Sequence, residues 1–312
     1  MSRKVGIHIL VLLVFSASLI AQQLTVKGDP VALSAPGKSF MAPEWSPDGN
    51  QLAVGGGNYN GIYLISFPSA KMSVLSEEIG AGFRMAWSPN GEAIAARVSS
   101  YENNKKRSQI VLFFLDGTRQ ALSEVQQSLQ GVPVWSKSGD FVYLNSSERF
   151  QPYMLSAERA TSLTGELPYL KTFEIYLRNL ENGSESKVLN SEERALYLEI
   201  SPTETEFVYS TASENLWIAD LDGTNNRKLG RGSAPSWSPD GTWIACMVPE
   251  DDGHVITQSE IQIYHAQNGA VALRTNTPDI HEMHPAWSPD GNWIAYENEV
   301  DGRIWAVEIE GR

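Results

Sequence analysis

The sequence contains few of the residues that bring chemistry to a protein of this size. Its 312 residues include a single cysteine, Cys246, so no intrachain disulfide can form. It has no Gly-x-Ser-x-Gly nucleophile elbow, no phosphate-cradling loop and no dinucleotide fingerprint. These absences disfavour serine hydrolases of the nucleophile-elbow type and nucleotide-binding enzymes. We expect no cofactor.

Positive charge is also scarce. The chain has 24 Lys and Arg residues against 37 Asp and Glu residues, for a formal net charge of −13. An acidic protein of this kind repels phosphate backbones, which excludes nucleic acid as an expected partner. The hydrophobic fraction of 42% is ordinary for a folded globular chain.

A long apolar run occurs only at the N-terminus. Arg3 and Lys4 precede an apolar stretch from Ile7 to Ile20, and Ala21 offers a small residue for cleavage. This layout predicts a secretory signal peptide over residues 1–21, with retention as a membrane anchor as the alternative. We therefore expect an exported protein, periplasmic or secreted, with no membrane span after cleavage.

The rest of the chain is organised by an internal repeat. Six 12-residue segments align without gaps, and a serine follows the aromatic position in each: PEWSPDGNQLAV (43–54), MAWSPNGEAIAA (85–96), PVWSKSGDFVYL (133–144), LEISPTETEFVY (198–209), PSWSPDGTWIAC (235–246) and PAWSPDGNWIAY (285–296). Five copies have Trp at the aromatic position, namely Trp45, Trp87, Trp135, Trp237 and Trp287. Repetition at a fixed period indicates a repeat architecture.

Each copy predicts a β-hairpin, because Pro-Asp-Gly supplies the dihedral angles of a tight turn before a short apolar strand. Two more strand-like segments follow each hairpin, which gives four strands in about 40 residues, the pattern of a β-propeller blade. The sixth unit ends after its third strand, and PVALS (30–34) can supply its missing outer strand. The sequence thus predicts an all-β, six-bladed propeller of four-stranded antiparallel blades, closed by an N-terminal strand.

The predicted propeller is a single domain, residues 22–312, with two insertions. The third and fourth aromatic positions, residues 135 and 200, are 65 residues apart, which indicates an insertion at about 146–172, too short for a seventh blade. A shorter one covers 249–259. Both fall between the second and third strands of a unit, so they should project from the same face of the disc. The repeated Trp side chains are interpreted as wedges packed between neighbouring blades.

The WSPDG-type motifs resemble the TolB-like propeller. The resemblance covers nearly all of the chain after residue 21, and six copies in phase make it specific. The N-terminal α/β domain that accompanies this propeller in TolB proteins is not expected here, which makes a Tol-Pal role doubtful. Similar repeats form propeller domains of prolyl-oligopeptidase-like and tricorn-like proteases and of oligogalacturonate lyases, so the resemblance implies a fold rather than a function.

The candidate functional residues lie in the loops that enter the innermost strands. These loops should surround one mouth of the central channel with a predicted ligand-binding face of seven residues: Phe40, Arg84, Arg194, Arg231, His281, Glu282 and His284. We expect the three arginines to form a positive rim that an anionic group could use. The pair His281 and His284 resembles the metal-binding histidines of oligogalacturonate lyases, which leaves a metal site as an alternative; the preferred reading has no metal and no catalytic residue.

The sequence therefore favours a monomeric, non-enzymatic binding or scaffold module with a protein or cell-envelope ligand. The alternatives are a propeller-type carbohydrate-active enzyme and an accessory propeller of a peptidase system.

Overall fold

A computed structural model describes residues 23–127, 129–155, 164–189 and 193–311. The predicted signal peptide lies outside these residues. Within the described ranges, no helix has the length and apolar character needed to cross a membrane.

The described residues form seven antiparallel sheets, each a blade of a β-propeller. The chain begins with β1 (Thr25–Ala32), which belongs to the last blade. Blade 1 consists of β2 (Phe40–Trp45), β3 (Gln51–Gly56), β4 (Ile62–Ser66) and β5 (Lys71–Ser76), with a 3-10 turn at Gly57–Tyr59. Blade 2 consists of β6 (Ala86–Trp87), β7 (Ala93–Glu102), β8 (Lys105–Phe114) and β9 (Arg119–Ala121).

Within the described ranges, blades 3 and 4 have three strands each. Blade 3 consists of β10 (Val132–Trp135), β11 (Phe141–Asn145) and β12 (Tyr153–Met154), and blade 4 of β13 (Glu166–Lys171), β14 (Glu174–Asn179) and β15 (Glu185–Lys187).

The last three blades have four strands. Blade 5 consists of β16 (Ala195–Ile200), β17 (Glu206–Thr211), β18 (Asn215–Asp220) and β19 (Arg227–Arg231). Blade 6 consists of β20 (Ser233–Trp237), β21 (Trp243–Asp251), β22 (Ile256–His265) and β23 (Val271–Arg274). Blade 7 consists of β24 (Glu282–Trp287), β25 (Trp293–Asn298) and β26 (Arg303–Glu310), with β1 as its outer strand.

The repeated serine is explained by the turn between the first two strands of a blade. In blade 1, the Ser46 hydroxyl donates to Asp48 Oδ1 at 2.6 Å and accepts the Gln51 backbone N–H at 3.0 Å. Gly49 occupies the left-handed region at φ 71°, which glycine adopts at low cost. Ser238 and Asp240 repeat the contact at 2.6 Å in blade 6. The motif is therefore a locally encoded turn.

The repeated Trp side chains tie neighbouring blades together. Trp45, Trp237 and Trp287 are buried, whereas Trp87 and Trp135 are half-buried. Four indole N–H groups donate to a backbone carbonyl in the inner strand of the preceding blade: Trp45 to Ala286, Trp87 to Glu44, Trp135 to Ala86 and Trp237 to Glu199, at 3.0–3.3 Å. A single residue type thus supplies both apolar burial and an inter-blade hydrogen bond.

The predicted closure of the ring is confirmed. Strand β1 pairs antiparallel with β26, with Val31 opposite Ala306 and Ala32 opposite Trp305. Leu24 and Leu33, at the two ends of β1, are 1% and 0% exposed. The first and last strands of the described chain therefore complete one blade.

The predicted number of six blades is wrong, since the propeller has seven. The third repeat unit contains two blades. Strand β12 is the last described strand of blade 3, and the predicted third strand of that unit, at 173–180, pairs instead with β13 from the predicted insertion. This pairing forms the seventh blade. Blade 4 has no Trp-Ser motif of its own, so counting motifs could not find it.

Candidate binding site in the central channel

The inner strands of four blades contain a residue with left-handed backbone at the same repeat position. Three residues before the motif Trp, Ala42, Arg84, Ala234 and His284 have φ between 46° and 49°. In blades 1, 6 and 7 this residue lies in a β-bulge between the two inner strands. A non-glycine residue in this conformation costs about 1–2 kcal/mol. Bulges change the direction in which a side chain points, and all four residues line the central channel.

The channel has a volume of about 580 Å³. Two repeat positions supply twelve of its lining residues. The position three before the motif aromatic supplies Ala42, Arg84, Val132, Tyr197, Ala234 and His284, and the position directly before it supplies Glu44, Ala86, Val134, Glu199, Ser236 and Ala286. Most of these residues are small or apolar, so the few charged and aromatic ones determine the chemistry.

Arg84 and Tyr197 meet across the channel. Arg84 comes from blade 2 and Tyr197 from blade 5, yet the guanidinium carbon lies 4.4 Å from the centre of the Tyr197 ring. This is a cation–π contact. Burial lowers the pKa of Arg84, and Tyr197, Glu44 and Glu199 oppose that shift. The contact places a cation in the lumen.

Two carboxylates lie near this guanidinium. Burial raises the pKa of Glu44 to about 7, against the opposing effects of Arg84 and His284. Burial, followed by repulsion from Glu44, raises the pKa of Glu199 to about 8. The Glu44 side chain is accessible to water in the lumen, but protein surrounds that water, so solvation is poorer than at an outer surface. Both groups therefore favour a proton or a nearby cation.

The two predicted histidines contact different carboxylates. His284 Nδ1 lies 3.1 Å from Glu297 Oε2, which also accepts the Ala42 N–H at 2.8 Å, so His284 helps to join blades 7 and 1. His281 Nδ1 lies 3.2 Å from Glu299 Oε2. Because each acceptor is a carboxylate, Nδ1 carries the hydrogen in both pairs. Among the described residues, no group of three or more His, Cys, Asp and Glu side chains could hold a metal ion.

Several residues of the predicted ligand-binding face lie outside the channel. Phe40 is 3% exposed and packs edge-on against Tyr63 at 5.2 Å, so its ring is unavailable to a ligand. Glu282 is 1% exposed and accepts the Ile261 N–H at 2.9 Å. Both side chains point between blades rather than into the channel.

The predicted positive rim of three arginines is not formed. Arg194 lies over Phe173, with 5.3 Å between the guanidinium carbon and the ring centre. Arg231 donates to Glu214 Oε2 at 2.9 and 3.1 Å. Of the three, only Arg84 lines the channel.

Sequence reasoning missed three residues of the site, Glu44, Glu199 and Tyr197. A signal was present for the two carboxylates. The position before the motif aromatic holds small or apolar residues in the other four copies, so a Glu in two copies departs from the repeat.

Comparisons with known proteins identify the architecture. No protein-family model matches the chain, and no curated protein matches it. It is similar to the structure of a putative TolB from Agrobacterium tumefaciens, with 18% identity, a TM-score of 0.52, and coverage of 87% of this chain and 90% of that chain. It is also similar to TolB from Acinetobacter baumannii, with 15% identity, a TM-score of 0.46, and coverage of 91% of this chain and 65% of that one.

The fold and the lined channel define a β-propeller protein. The likeness to the Agrobacterium structure shows that the propeller is TolB-like, which confirms the resemblance inferred from the motifs. At 18% identity this likeness concerns the fold.

Proposed function

We propose that this chain is an exported, non-enzymatic propeller that binds a protein ligand in the periplasm or cell envelope, at the channel mouth on the face opposite the motif turns. The observation that carries the proposal is the convergence of polar side chains from four blades in one channel. Glu44 comes from blade 1, Arg84 from blade 2, Tyr197 and Glu199 from blade 5, and His284 from blade 7. Binding sites are typically concave and mostly apolar, with a small number of placed polar groups that fix the ligand.

Two long hairpins on the mouth side of the disc support a protein ligand. In a blade, the first strand runs from the mouth to the motif turn, so the hairpin between the second and third strands projects on the mouth side. The hairpins β7–β8 and β21–β22 extend further than those of the other blades, and their ends include Tyr101 and Val255, which are 65% and 62% exposed. A partner bound at the mouth would bury these two exposed side chains, one on each hairpin.

The tips also differ in charge. The β7–β8 tip includes Lys105 and Lys106, and the β21–β22 tip includes Asp251 and Asp252. Blades 2 and 6 lie three positions apart around the ring through blades 1 and 7. A partner that spans the mouth would therefore meet opposite charges at its two ends, which favours one binding orientation.

The test is capture of partners from a cell-envelope extract of the source organism. Two variants change the mouth side: Tyr197→Ala in the channel, and Tyr101→Ala with Val255→Asp on the hairpins. The matched control is Leu115→Asp, which changes a 42%-exposed residue in the loop between β8 and β9 on the opposite face. We expect each mouth-side variant to lose captured partner about tenfold or more, because aromatic anchors dominate interface energies. Recovery of the same partners from all variants would refute the proposal.

One observation favours a second candidate, a carbohydrate-active enzyme. Two carboxylates, Glu44 and Glu199, share a cavity and both have raised pKa values. Glycoside hydrolases use such a pair as acid and base or nucleophile. Hydrolysis of a polysaccharide panel by the wild type, lost in Glu44→Gln and in Glu199→Gln, would support this function over binding alone.

A further inference from the structure

The channel already holds one cationic group in a defined setting. The Arg84 guanidinium crosses the lumen to the face of Tyr197 and is electrostatically coupled to Glu44, Glu199 and Tyr59. An aromatic face combined with carboxylates is the usual environment of a bound guanidinium, because the planar group stacks on the ring while its N–H groups reach the oxygens. The contact of Arg84 therefore shows that this part of the channel can hold a guanidinium group.

Arg84 does not balance the negative charge around it. Glu44 and Glu199 contribute two carboxylates to the channel lining, and among the described lining residues Arg84 is the only guanidinium. His284 also acts on Glu44, but its Nδ1 contacts Glu297, which accepts the Ala42 N–H as well. Glu44 and Glu199 therefore share the Arg84 guanidinium.

The channel also has space for a second guanidinium group, and the backbone of Arg84 is in an unfavourable conformation. The positions equivalent to Arg84 in blades 1 and 6 are Ala42 and Ala234, whose small side chains leave the lumen open within a channel of about 580 Å³. Arg84 itself has a left-handed backbone, with φ 47°. A guanidinium from outside could therefore occupy the channel beside Arg84 or replace it on Tyr197.

We propose that the channel binds an arginine side chain of the protein ligand, between the face of Tyr197 and the carboxylates Glu44 and Glu199, with displacement of the Arg84 guanidinium. This inference rests on the proposed function and names the group that enters the site. The guanidinium is specified over other cations because only a planar cation can stack on Tyr197 and bridge two carboxylates together.

Binding should release protons. Arg84 and His284 act on Glu44. Glu44, Arg84 and the Trp237 backbone N–H act on Glu199. Tyr59 and Glu297 are two other titratable groups nearby. An incoming cation stabilises the ionised carboxylates, so their protons leave on binding. Affinity for the arginine group should therefore increase as pH rises from 6 to 8.

The experiment uses a pair of probes that differ only in charge, N-acetyl-arginine methylamide and N-acetyl-citrulline methylamide. Each is titrated calorimetrically into the wild type and into Arg84→Met, which keeps the apolar stem and removes the charge. We expect Arg84→Met to bind the arginine probe about tenfold more tightly than the wild type does, because its own competitor is absent. The citrulline probe should not bind measurably.

Two further variants complete the design. Adding Glu44→Gln and Glu199→Gln to Arg84→Met should abolish arginine binding. The matched control, Arg194→Met, removes an exposed arginine from Phe173 and should leave wild-type binding unchanged. If Arg84→Met does not fold, Tyr197→Leu replaces it, and the expected result is a loss of the wild-type response to the arginine probe.

Several results would overturn the proposal. They are equal binding of the two probes, no gain in Arg84→Met, or a response that calcium chloride reproduces without preference for the guanidinium. If the probe titrations fail but the mouth-side variants still lose the captured partner, the arginine site is refuted and the protein-binding function is supported. If the probe titrations give the expected pattern but the mouth-side variants capture the same partners as the wild type, the protein-binding function is refuted and the channel remains a site for a guanidinium group.

Discussion

Residues with a left-handed backbone recur at one position of the inner strands. Ala42, Arg84, Ala234 and His284 all have φ near 47°, although none is glycine. Left-handed backbone in L-residues is unfavourable, and it is maintained where surrounding structure fixes it, often near functional sites. Here it places one side chain per blade at the channel mouth.

Ala234 allows this strain to be measured. Ala234→Gly should raise the free energy of unfolding by about 0.5–1 kcal/mol, since glycine relieves the left-handed strain at the cost of some unfolded-chain entropy. Urea unfolding measures the change. Ala295→Gly, at a fully buried position in the regular part of β25, is the control and should be destabilising. Loss of stability in both variants would show that Ala234 is not strained.

A second residue-scale feature is a buried carboxyl pair between blades 6 and 7. Glu260 and Glu282 are each 1% exposed and contact the same hydroxyl. Thr275 Oγ1 lies 2.7 Å from Glu260 Oε2 and also contacts Glu282 Oε2. One hydroxyl hydrogen can satisfy only one of the two oxygens. Burial raises the pKa of Glu282, and Glu260 adds repulsion, so a proton on Glu282 relieves the conflict.

The sign of the resulting pH dependence follows from linkage. Since the folded-state pKa of Glu282 is raised, its stabilising contribution is complete below the unfolded pKa and is lost as pH rises through the folded pKa. Glu282→Gln should therefore raise the free energy of unfolding at pH 8 by about 1–3 kcal/mol, with a smaller gain at pH 4. Urea unfolding at both pH values measures the difference. The control is Glu299→Gln, which changes a half-exposed side chain. An equal change in the free energy of unfolding of Glu282→Gln at both pH values would contradict the shared-proton arrangement.

At the scale of elements, strand β1 contributes more to stability than its sequence suggests. It lies at the outer edge of blade 7, where a strand could be dispensable. However, Leu24 also donates its N–H to Ala272 in blade 6 at 3.2 Å, and Leu33 lies in the core between blades 7 and 1. The strand therefore fixes three blades relative to one another.

Leu33→Ala tests this role. It should lower the free energy of unfolding by about 2–5 kcal/mol, the usual cost of emptying a fully buried leucine site. Val31→Ala, two residues earlier and 43% exposed, should change it by no more than about 0.5 kcal/mol. Thermal and urea unfolding of the two variants measure the contrast. Similar small effects in both would mean that β1 adds little to ring closure.

At the scale of the whole molecule, the irregular part of the ring is the pair of three-stranded blades. The Ser146 N–H donates to the Leu170 carbonyl at 3.0 Å, and Asn145 Oδ1 accepts the Leu170 N–H at 3.1 Å. The end of blade 3 thus pairs with the inner edge of β13, where the described part of blade 4 has no strand of its own. Pro168 lies on the same edge, where its missing N–H costs little. Within the described residues, the ring closes although blade 4 has no innermost strand.

The amino-acid sequence by itself determined the repeated features of this protein. The Ser-Pro-Asp-Gly turn, the Trp wedge and the strands around them are fixed by local dihedral preferences and by short-range hydrogen bonds, and they recur in register. Closure by residues 30–34 also followed from the sequence, because a sixth unit without its outer strand left one strand to be found elsewhere.

Only the tertiary structure decided the blade number and the chemistry of the channel. Blade 4 lacks the motif, so its existence depends on β13 pairing with β14 and with the end of blade 3. Arg84 and Tyr197 are more than 100 residues apart and meet only because the ring brings blades 2 and 5 to opposite sides of one lumen. Glu44 and Glu199 acquire raised pKa values from burial in that lumen, which no local pattern specifies. Local preferences fix turns and strands, whereas contacts across a closed ring depend on the arrangement of all its blades.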